Sequence, residues 1–157
     1  MKNQEIAREF REIAKLLEIK GENRFRVLAY EEAARQIENY PEAIEQAASE
    51  GTLRKIPGIG EGLAAKIQEY LTTGIIQYRE ELTRDIPPGL IHLTDISGVG
   101  PKIALQLYKE LGITSVEALE EVIHSQKLQR LPRFGPKSEE KIRKGIEMLK
   151  RNTGRML

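Results

Sequence analysis

Three copies of one glycine-containing phrase constrain the fold of this chain more than any other feature. They read IPGIGEGLAAKI, ISGVGPKIALQL and LPRFGPKSEEKI, and they begin at Ile56, Ile96 and Leu131. Each copy keeps apolar residues four and seven positions before its last hairpin glycine, and another seven positions after it. Repeats of this length indicate one supersecondary unit copied within the chain. Each copy therefore predicts a short helix, a tight hairpin and a longer helix.

The segments around these copies also follow helical periodicity. Residues 3–19 carry apolar side chains at helical spacing, and no stretch alternates with period two long enough to form a strand. We therefore expect an all-α fold of tandem helix–hairpin–helix units. Further helices are expected at 24–39, from Pro41 to Gly51, at 75–82, at 115–125 behind a Thr114–Glu117 capping box, and at 138–151 with Ser138 near its N-cap. Gly21, Gly51 and Gly74 are expected to stop the helices that precede them.

The segment DIPPGL, residues 85–90, is the best candidate for a linker. Two prolines and a glycine disfavour a helix interior, so we expect residues 85–90 to be non-helical. The predicted organisation is two small helical domains, residues 1–84 with the first hairpin and residues 85–157 with the second hairpin and a degenerate third.

Composition excludes several classes of site. The chain of 157 residues has no cysteine, which removes disulfides, thiolate zinc sites and cysteine nucleophiles. His92 and His124 stand far apart and without a ligand cluster. No apolar run approaches the ~20 residues of a membrane span, and the N-terminus lacks the apolar core of a signal peptide. We expect a cytoplasmic monomer with no membrane partner and no organic cofactor.

The hairpins themselves suggest a chemistry. Glycine permits positive φ and leaves no Cβ to hold a ligand away, and a helix start carries unpaired N–H groups that bind phosphate oxygens. A chain of net charge +1 could hold DNA in this way, without reading its sequence. A glycine turn can also simply join two packed helices, but two full copies favour DNA. The candidate DNA-binding residues are Gly58, Gly60, Gly62, Gly98, Gly100 and Lys102.

The third copy departs from this pattern because Arg133 replaces the first glycine. We expect that its backbone does not curl around a phosphate as the others do. Two interpretations stay open. The copy could be structural, which we favour, or Arg133, Lys137, Lys141 and Lys144 could form a basic patch.

The segments RFRVLAYEEAARQIENYP and LRKIPGIGEGLAAKIQEYLTTG resemble the N-terminal lyase domain of family X DNA polymerases, the group of DNA polymerase beta. HLTDISGVGPKIALQLYKELGI resembles the fingers subdomain of that family, and the third hairpin is typical of bacterial members. The resemblance implies binding to gapped or nicked DNA in base excision repair. The polymerase palm needs clustered aspartates for two metal ions, whereas the chain has only Asp85 and Asp95. The sequence as it stands therefore predicts no polymerase activity, and either a fragment of a polymerase or a stand-alone protein fits it.

The resemblance also implies a 5′-deoxyribose-phosphate lyase that works through a lysine Schiff base. The nucleophile would be Lys66, with Tyr30 and the DNA-contacting Arg26 near its pocket. A lysine amine attacks a carbonyl only when it is unprotonated, and partial burial favours that form. Gly62 and Tyr78 stand where the animal enzyme has phosphate-binding lysines, so the pocket here has fewer groups to bind the phosphate. A boundary lysine that merely snorkels along its helix is the competing interpretation of Lys66.

Family hairpins also bind a monovalent cation, Na⁺ or K⁺, through backbone carbonyls. The matching carbonyls here are those of Arg54, Ile56, Ile59, Thr94, Ile96 and Val99. Two other functions stay open at this point. The chain could be a non-catalytic DNA-binding module, or a helical protein-interaction domain that uses the exposed faces of its last two helices.

Overall fold

A computed structural model describes the backbone of residues 1–156 and the side chains of residues 1–152. This part of the chain contains nine α-helices and two short 3-10 helices, and no strand, so the prediction of an all-α fold is confirmed. The chain divides into two compact units between Ile86 and Pro87. Within the described part, no helix is long and apolar enough to cross a membrane.

The first unit holds five α-helices and one 3-10 helix. They are α1 (Asn3–Lys20), α2 (Arg24–Glu38), α3 (Ile44–Glu50), the 3-10 helix Leu53–Lys55, α4 (Glu61–Thr73) and α5 (Gln77–Asp85). Helices α1 and α2 form the centre of its core, and the apolar stripe predicted on α1 is fully buried at Ile6, Phe10, Ile13, Leu16 and Leu17. The glycines expected to stop α1, α3 and α4 do so, because Gly21, Gly51 and Gly74 each adopt the left-handed conformation that closes a helix.

Two polar contacts fix α1 against the rest of the first unit. Asn3 is 3% exposed; its amide nitrogen donates to the Glu42 carbonyl at 2.8 Å, and its amide oxygen accepts from the Ile44 backbone N–H at 2.9 Å. Arg79 on α5 forms ion pairs with Glu9, at 3.3 Å, and with Glu12 on α1. The Arg79 ion pairs position α5, which carries Tyr78 of the site described below.

The second unit contains α6 (Gly89–Leu93), α7 (Pro101–Leu111), α8 (Val116–His124), the 3-10 helix Leu128–Arg130 and α9 (Pro136–Met156). Helix α9 packs directly on the second hairpin at Gly145. A Cβ at Gly145 would lie 2.4 Å from the Ser97 carbonyl oxygen and 2.9 Å from a methyl group of Ile96. The third repeat therefore supports the second through a backbone contact that only glycine permits.

Two predicted boundaries in and before the linker were wrong. Helix α3 begins at Ile44 rather than at Pro41, because the side chain of Asn3, on a different helix, accepts the Ile44 N–H and sets the start. The predicted non-helical linker contains the start of α6: Pro87 and Pro88 precede it, where a proline loses no helical hydrogen bond, and Leu90 is completely buried. Gly89 is thus the first residue of a helix.

Two predicted caps in the second unit were also wrong. The cap of α8 is Ser115, whose hydroxyl oxygen accepts from the Ala118 N–H at 3.1 Å, not Thr114. Helix α9 begins at Pro136, not beyond Ser138, since the Glu139 N–H already donates to the Gly135 carbonyl at 3.0 Å. Gly135 therefore takes the same place as Gly60 and Gly100 in their repeats.

Candidate nucleic-acid interface and lysine site

The first two hairpins have the same backbone conformation. The leading glycines are left-handed, with φ of +85° at Gly58 and +96° at Gly98. The glycines that open the longer helices are extended, with φ and ψ of −89° and −171° at Gly60 and −90° and −179° at Gly100. Two segments forty residues apart in sequence thus form one backbone shape, with its helix start directed outward.

Burial alternates in the same way along both hairpins. Ile56 and Ile59 in the first hairpin and Ile96 and Val99 in the second are at most 5% exposed, while the glycines between and after them are wholly or partly exposed. A Cβ added at Gly60 or Gly100 would meet nothing within 4 Å. The apolar side chains therefore fix each hairpin to its unit, and the backbone of the turn faces open space.

The neighbours of the two leading glycines differ in charge. A Cβ at Gly58 would lie 3.5 Å from Cγ of Glu32, on α2, whereas a Cβ at Gly98 would lie 3.4 Å from Cγ of Lys141, on α9. Glu32 is itself hydrogen-bonded to Arg35, which lowers the pKa of the Glu32 carboxyl and offsets part of its charge. The side chain that faces the leading glycine is thus a cation in the second hairpin, which favours an anion there, and a carboxylate in the first.

The third hairpin keeps the frame of the other two but not their central turn. The Phe134 N–H donates to the Leu131 carbonyl at 3.1 Å, as the Ile59 and Val99 N–H groups do in their own copies. Among the described residues, Gln126 is the only non-glycine with positive φ, so Arg133 is not left-handed. A turn without positive φ at its third residue presents its middle peptide plane in the opposite orientation. The third copy therefore does not repeat the same backbone surface.

A lysine and two tyrosines meet on the first unit. The ammonium of Lys66 on α4 lies 5.3 Å from the centre of the Tyr78 ring. Tyr78 stacks on Tyr30 with ring centres 6.2 Å apart, and its hydroxyl oxygen accepts a 2.7 Å hydrogen bond from Arg26. The structure thus brings together Lys66, Tyr30 and Arg26, the three residues that the resemblance placed near one pocket.

Tyr30 forms the floor of this site. It is 6% exposed and contacts Phe10 edge-on at 5.6 Å between ring centres. Burial raises the pKa of Tyr30 to about 12, helped by the neighbouring Tyr78 and opposed by Arg26. The hydroxyl of Tyr30 therefore stays neutral at physiological pH. Lys66 is half-buried above this floor, and α5 supplies the Tyr78 ring against which its ammonium rests.

The remaining candidate residues lie where a ligand could reach them. Gly62 is exposed on the first turn of α4, with nothing within 4 Å of an added Cβ, and Lys102 is exposed on the first turn of α7. Sequence reasoning treated Tyr78 only as a missing lysine and did not assign its contacts with Lys66 and Arg26. It also missed Phe25, whose ring is 81% exposed at the start of α2. An exposed aromatic ring is a candidate for base stacking. The flanking Arg24 and Arg26 are visible in the sequence, but the exposure of Phe25 is not.

The backbone carbonyls proposed for a cation form a chemically suitable set. The Ile56 carbonyl accepts the turn N–H at 3.0 Å and the Ile96 carbonyl accepts its own at 2.9 Å, and each oxygen keeps a second lone pair. Neutral carbonyl oxygens suit a hard cation of low charge. No group of three or more His, Cys, Asp or Glu residues in the described part of the chain could hold a metal ion. The carbonyls of the hairpins are therefore the donor set to test for a cation.

Comparison with known families agrees with this geometry. Residues 1–76 match a family model described as a helix-hairpin-helix domain, and residues 90–147 match a SAM-like helix-hairpin-helix tandem. Both units are thus helix-hairpin-helix domains.

The chain is 37% identical over 142 residues to the DNA polymerase/3′-5′ exonuclease PolX of Bacillus subtilis, covering 90% of this chain and 24% of that protein. It is 35% identical over 130 residues to DNA polymerase lambda of Arabidopsis thaliana, covering 80% of this chain and 24% of that protein. The chain therefore spans about a quarter of the length of these relatives. The predicted resemblance to family X DNA polymerases is confirmed for this helical region.

Proposed function

We propose that this chain binds gapped or nicked duplex DNA through the backbone of its first two hairpins, independently of base sequence. The observation that carries the proposal is the matching conformation of Gly58–Gly60 and Gly98–Gly100, each with open space in front of its helix start. Free N–H groups and the helix dipole at such a start attract a phosphate without a basic side chain. Similarity to two DNA polymerases supports DNA as the ligand.

The same surface is the proposed cation site. Carbonyl oxygens of Arg54, Ile56 and Ile59 would hold Na⁺ or K⁺ in the first hairpin, and those of Thr94, Ile96 and Val99 in the second. The ion would offset the charge of the phosphate beside it. At constant ionic strength, we expect replacement of K⁺ by a bulky tetraalkylammonium to weaken DNA binding. Equal affinity in both salts would remove the ion from the proposal.

The second part of the proposal is that Lys66 is a Schiff-base nucleophile for a 5′-deoxyribose phosphate. The neutral amine attacks the C1′ aldehyde of the ring-opened sugar, and water leaves to give the imine. Loss of a proton from C2′ then breaks the C3′–O bond, which releases DNA with a 5′-phosphate. Water hydrolyses the imine and frees the lysine. Support comes from Lys66 and Arg26, which lie 5.3 Å and 5.6 Å from the centre of the same Tyr78 ring. Arg26 would meet the sugar's phosphate.

A borohydride trap tests this step, because hydride reduces the imine to a stable amine that links protein and DNA. On a 5′-incised abasic oligonucleotide, we expect trapping by the unmodified chain and none by Lys66→Ala, with gapped-DNA affinity changed by only a few-fold. Lys55→Ala, which removes an exposed lysine near the first hairpin, is the matched control. Trapping that survives in Lys66→Ala would move the chemistry to another amine. No trapping in the unmodified chain would leave a non-catalytic DNA-binding module.

A further inference from the structure

The second unit contains an open groove of about 780 Å³ between α7, the third hairpin and α9. This volume lies within the ~300–1,000 Å³ of sites that enclose a small ligand or a short segment. The lining includes Gly98 of the second hairpin, Arg133 of the third and Lys141 of α9. The groove thus joins the backbone of one hairpin to the side chains of the next.

The charge of this groove is unlike that of the chain as a whole. Four cations line it, Lys102, Lys109, Arg133 and Lys141, against one carboxylate, that of Glu110. The whole chain, by contrast, has a net charge of only +1. Positive charge is therefore concentrated where the second and third repeats meet.

None of these four cations is neutralised within the protein. In the part of the chain with described side chains, no carboxylate lies within ion-pair distance of any of them. Arg79 and Lys150, by contrast, pair with Glu9 and Glu120 respectively. Four unpaired cations around an open groove favour an anionic ligand from outside.

The shape and the walls of the groove indicate which anion. Aliphatic side chains of Ile103, Leu105 and Pro132 lie among the cations, so the ligand carries flat or apolar groups as well as charge. A Cβ built on Gly98 would lie 3.4 Å from Cγ of Lys141, and both residues line the groove, so this side chain lies beside the second hairpin. Because Gly98 itself lines the groove, a strand with a phosphate on that hairpin would lie at the edge of the groove.

We propose that this groove binds single-stranded DNA, with phosphates at the four cations and bases over the aliphatic side chains. The proposal rests on the proposed function for its choice of DNA over another polyanion. It gives the third repeat a role that does not need a glycine-led turn, because here the ligand is met by side chains. Two members of the basic patch that the sequence left open, Arg133 and Lys141, thus line a groove shared by two repeats.

Fluorescence anisotropy with a short oligothymidylate tests the proposal on the full chain. Four phosphate contacts to a single strand give a slope of log affinity against log salt of about −2.8. The variant Arg133→Ala/Lys141→Ala should halve the magnitude of this slope, to about −1.4. The reversal Arg133→Glu/Lys141→Glu should weaken binding tenfold or more at low salt. Because both side chains are exposed, circular dichroism should show an unchanged fold.

Arg8→Glu/Lys15→Glu is the matched control, since it reverses one exposed arginine and one exposed lysine on α1 and changes net charge equally. We expect it to bind the oligonucleotide within about twofold of the unmodified chain. Equal losses in both double variants would show a general charge effect and overturn the groove. Displacement of the strand by polyglutamate at the same charge concentration would instead assign the groove to an acidic protein segment.

Site-directed crosslinking gives an independent readout, because the chain has no native cysteine. A photoreactive group on Gln106→Cys, in the groove, should crosslink to the oligonucleotide, whereas the same group on Glu117→Cys, on α8, should not. Gly60→Val separates this proposal from the proposed function. If it weakens gapped-duplex binding while the groove variants leave oligothymidylate binding unchanged, the hairpin interface stands and the groove proposal falls.

Discussion

The same substitution should affect a different property at each of two glycines of the second hairpin, stability at Gly98 and DNA affinity at Gly100. Gly98 has a φ of +96°, where an alanine is strained by about 1–2 kcal/mol. Gly100 has a φ of −90°, which any residue adopts, and an added Cβ meets nothing within 4 Å. Gly98→Ala should therefore lower stability, whereas Gly100→Ala should lower DNA affinity.

The effects of Gly100→Ala on stability and on DNA affinity can be estimated separately. Gly100→Ala reduces the freedom of the unfolded chain, a gain of about 0.4–1 kcal/mol, but alanine is a poorer helix cap than glycine by a similar amount. We expect a net stability change within about 0.5 kcal/mol. A methyl group in front of the helix start should weaken gapped-DNA binding tenfold or more, which is about 1.4 kcal/mol. Backbone strain does not arise at Gly100, because its φ of −90° is one that any residue adopts.

Differential scanning calorimetry and gapped-duplex anisotropy on the full chain measure the two effects. For a domain of the size of the second unit, each kcal/mol of stability shifts the unfolding temperature by about 4–8 °C. Gly98→Ala should show such a shift, and Gly100→Ala should not. Gly112→Ala is a control, because Gly112 is also left-handed but closes α7 at its far end. A Gly100→Ala variant with normal stability and normal affinity would refute the assignment of the helix start to phosphate binding.

Three further predictions concern single side chains. The folded pKa of Tyr30 lies above its ordinary value of 10, so stability should fall as pH rises from 10 to about 12; Tyr30→Phe should remove both this loss and the last step of an ultraviolet tyrosinate titration. Glu139 is 3% exposed, with one carboxylate oxygen unpartnered and the other 3.6 Å from the half-exposed Arg143, a pair that contributes little. Glu139→Ala should therefore keep or raise the free energy of unfolding by up to about 1 kcal/mol in urea melts, and a clear loss would contradict this. Gly62→Lys, in open space on α4, should increase borohydride trapping at limiting substrate by adding a phosphate contact, whereas Gly62→Gln, its uncharged control, should not.

Sequence reasoning succeeded where a local signal determines the structure. The stripe on α1 and the left-handed glycines Gly21, Gly51 and Gly74 needed only spacing and backbone conformation. It failed where a distant residue decides, as when Asn3 sets the start of α3. The contact of Tyr78 with Arg26 spans 52 positions, and nothing in either segment alone predicts it.

The third repeat shows a different kind of limit. In the repeat alignment, Gly135 occupies the same position as Gly60 and Gly100. Ser138 was nevertheless predicted as the cap, because its side chain can accept a hydrogen bond. Repeat position was the stronger signal, since the packing of Phe134 and Ile142 fixes where α9 must begin. The groove was beyond sequence reasoning, because its walls come from two repeats and their approach depends on Gly145.

The alternating burial of residues along the hairpins affects which substitutions such a protein can tolerate during evolution. At the tip of the first hairpin, the outward groups are main-chain atoms, while Ile56 and Ile59 point inward. A complete mutational scan should therefore find the exposed position Pro57 permissive toward many side chains while DNA binding persists. Substitutions at Gly58 and Gly60 should abolish DNA binding. Gly58 is needed for its left-handed backbone, and Gly60 because the space in front of its helix start must stay open. A function held by the main chain leaves little trace in side-chain identity, and relatives could diverge widely while still binding the same ligand.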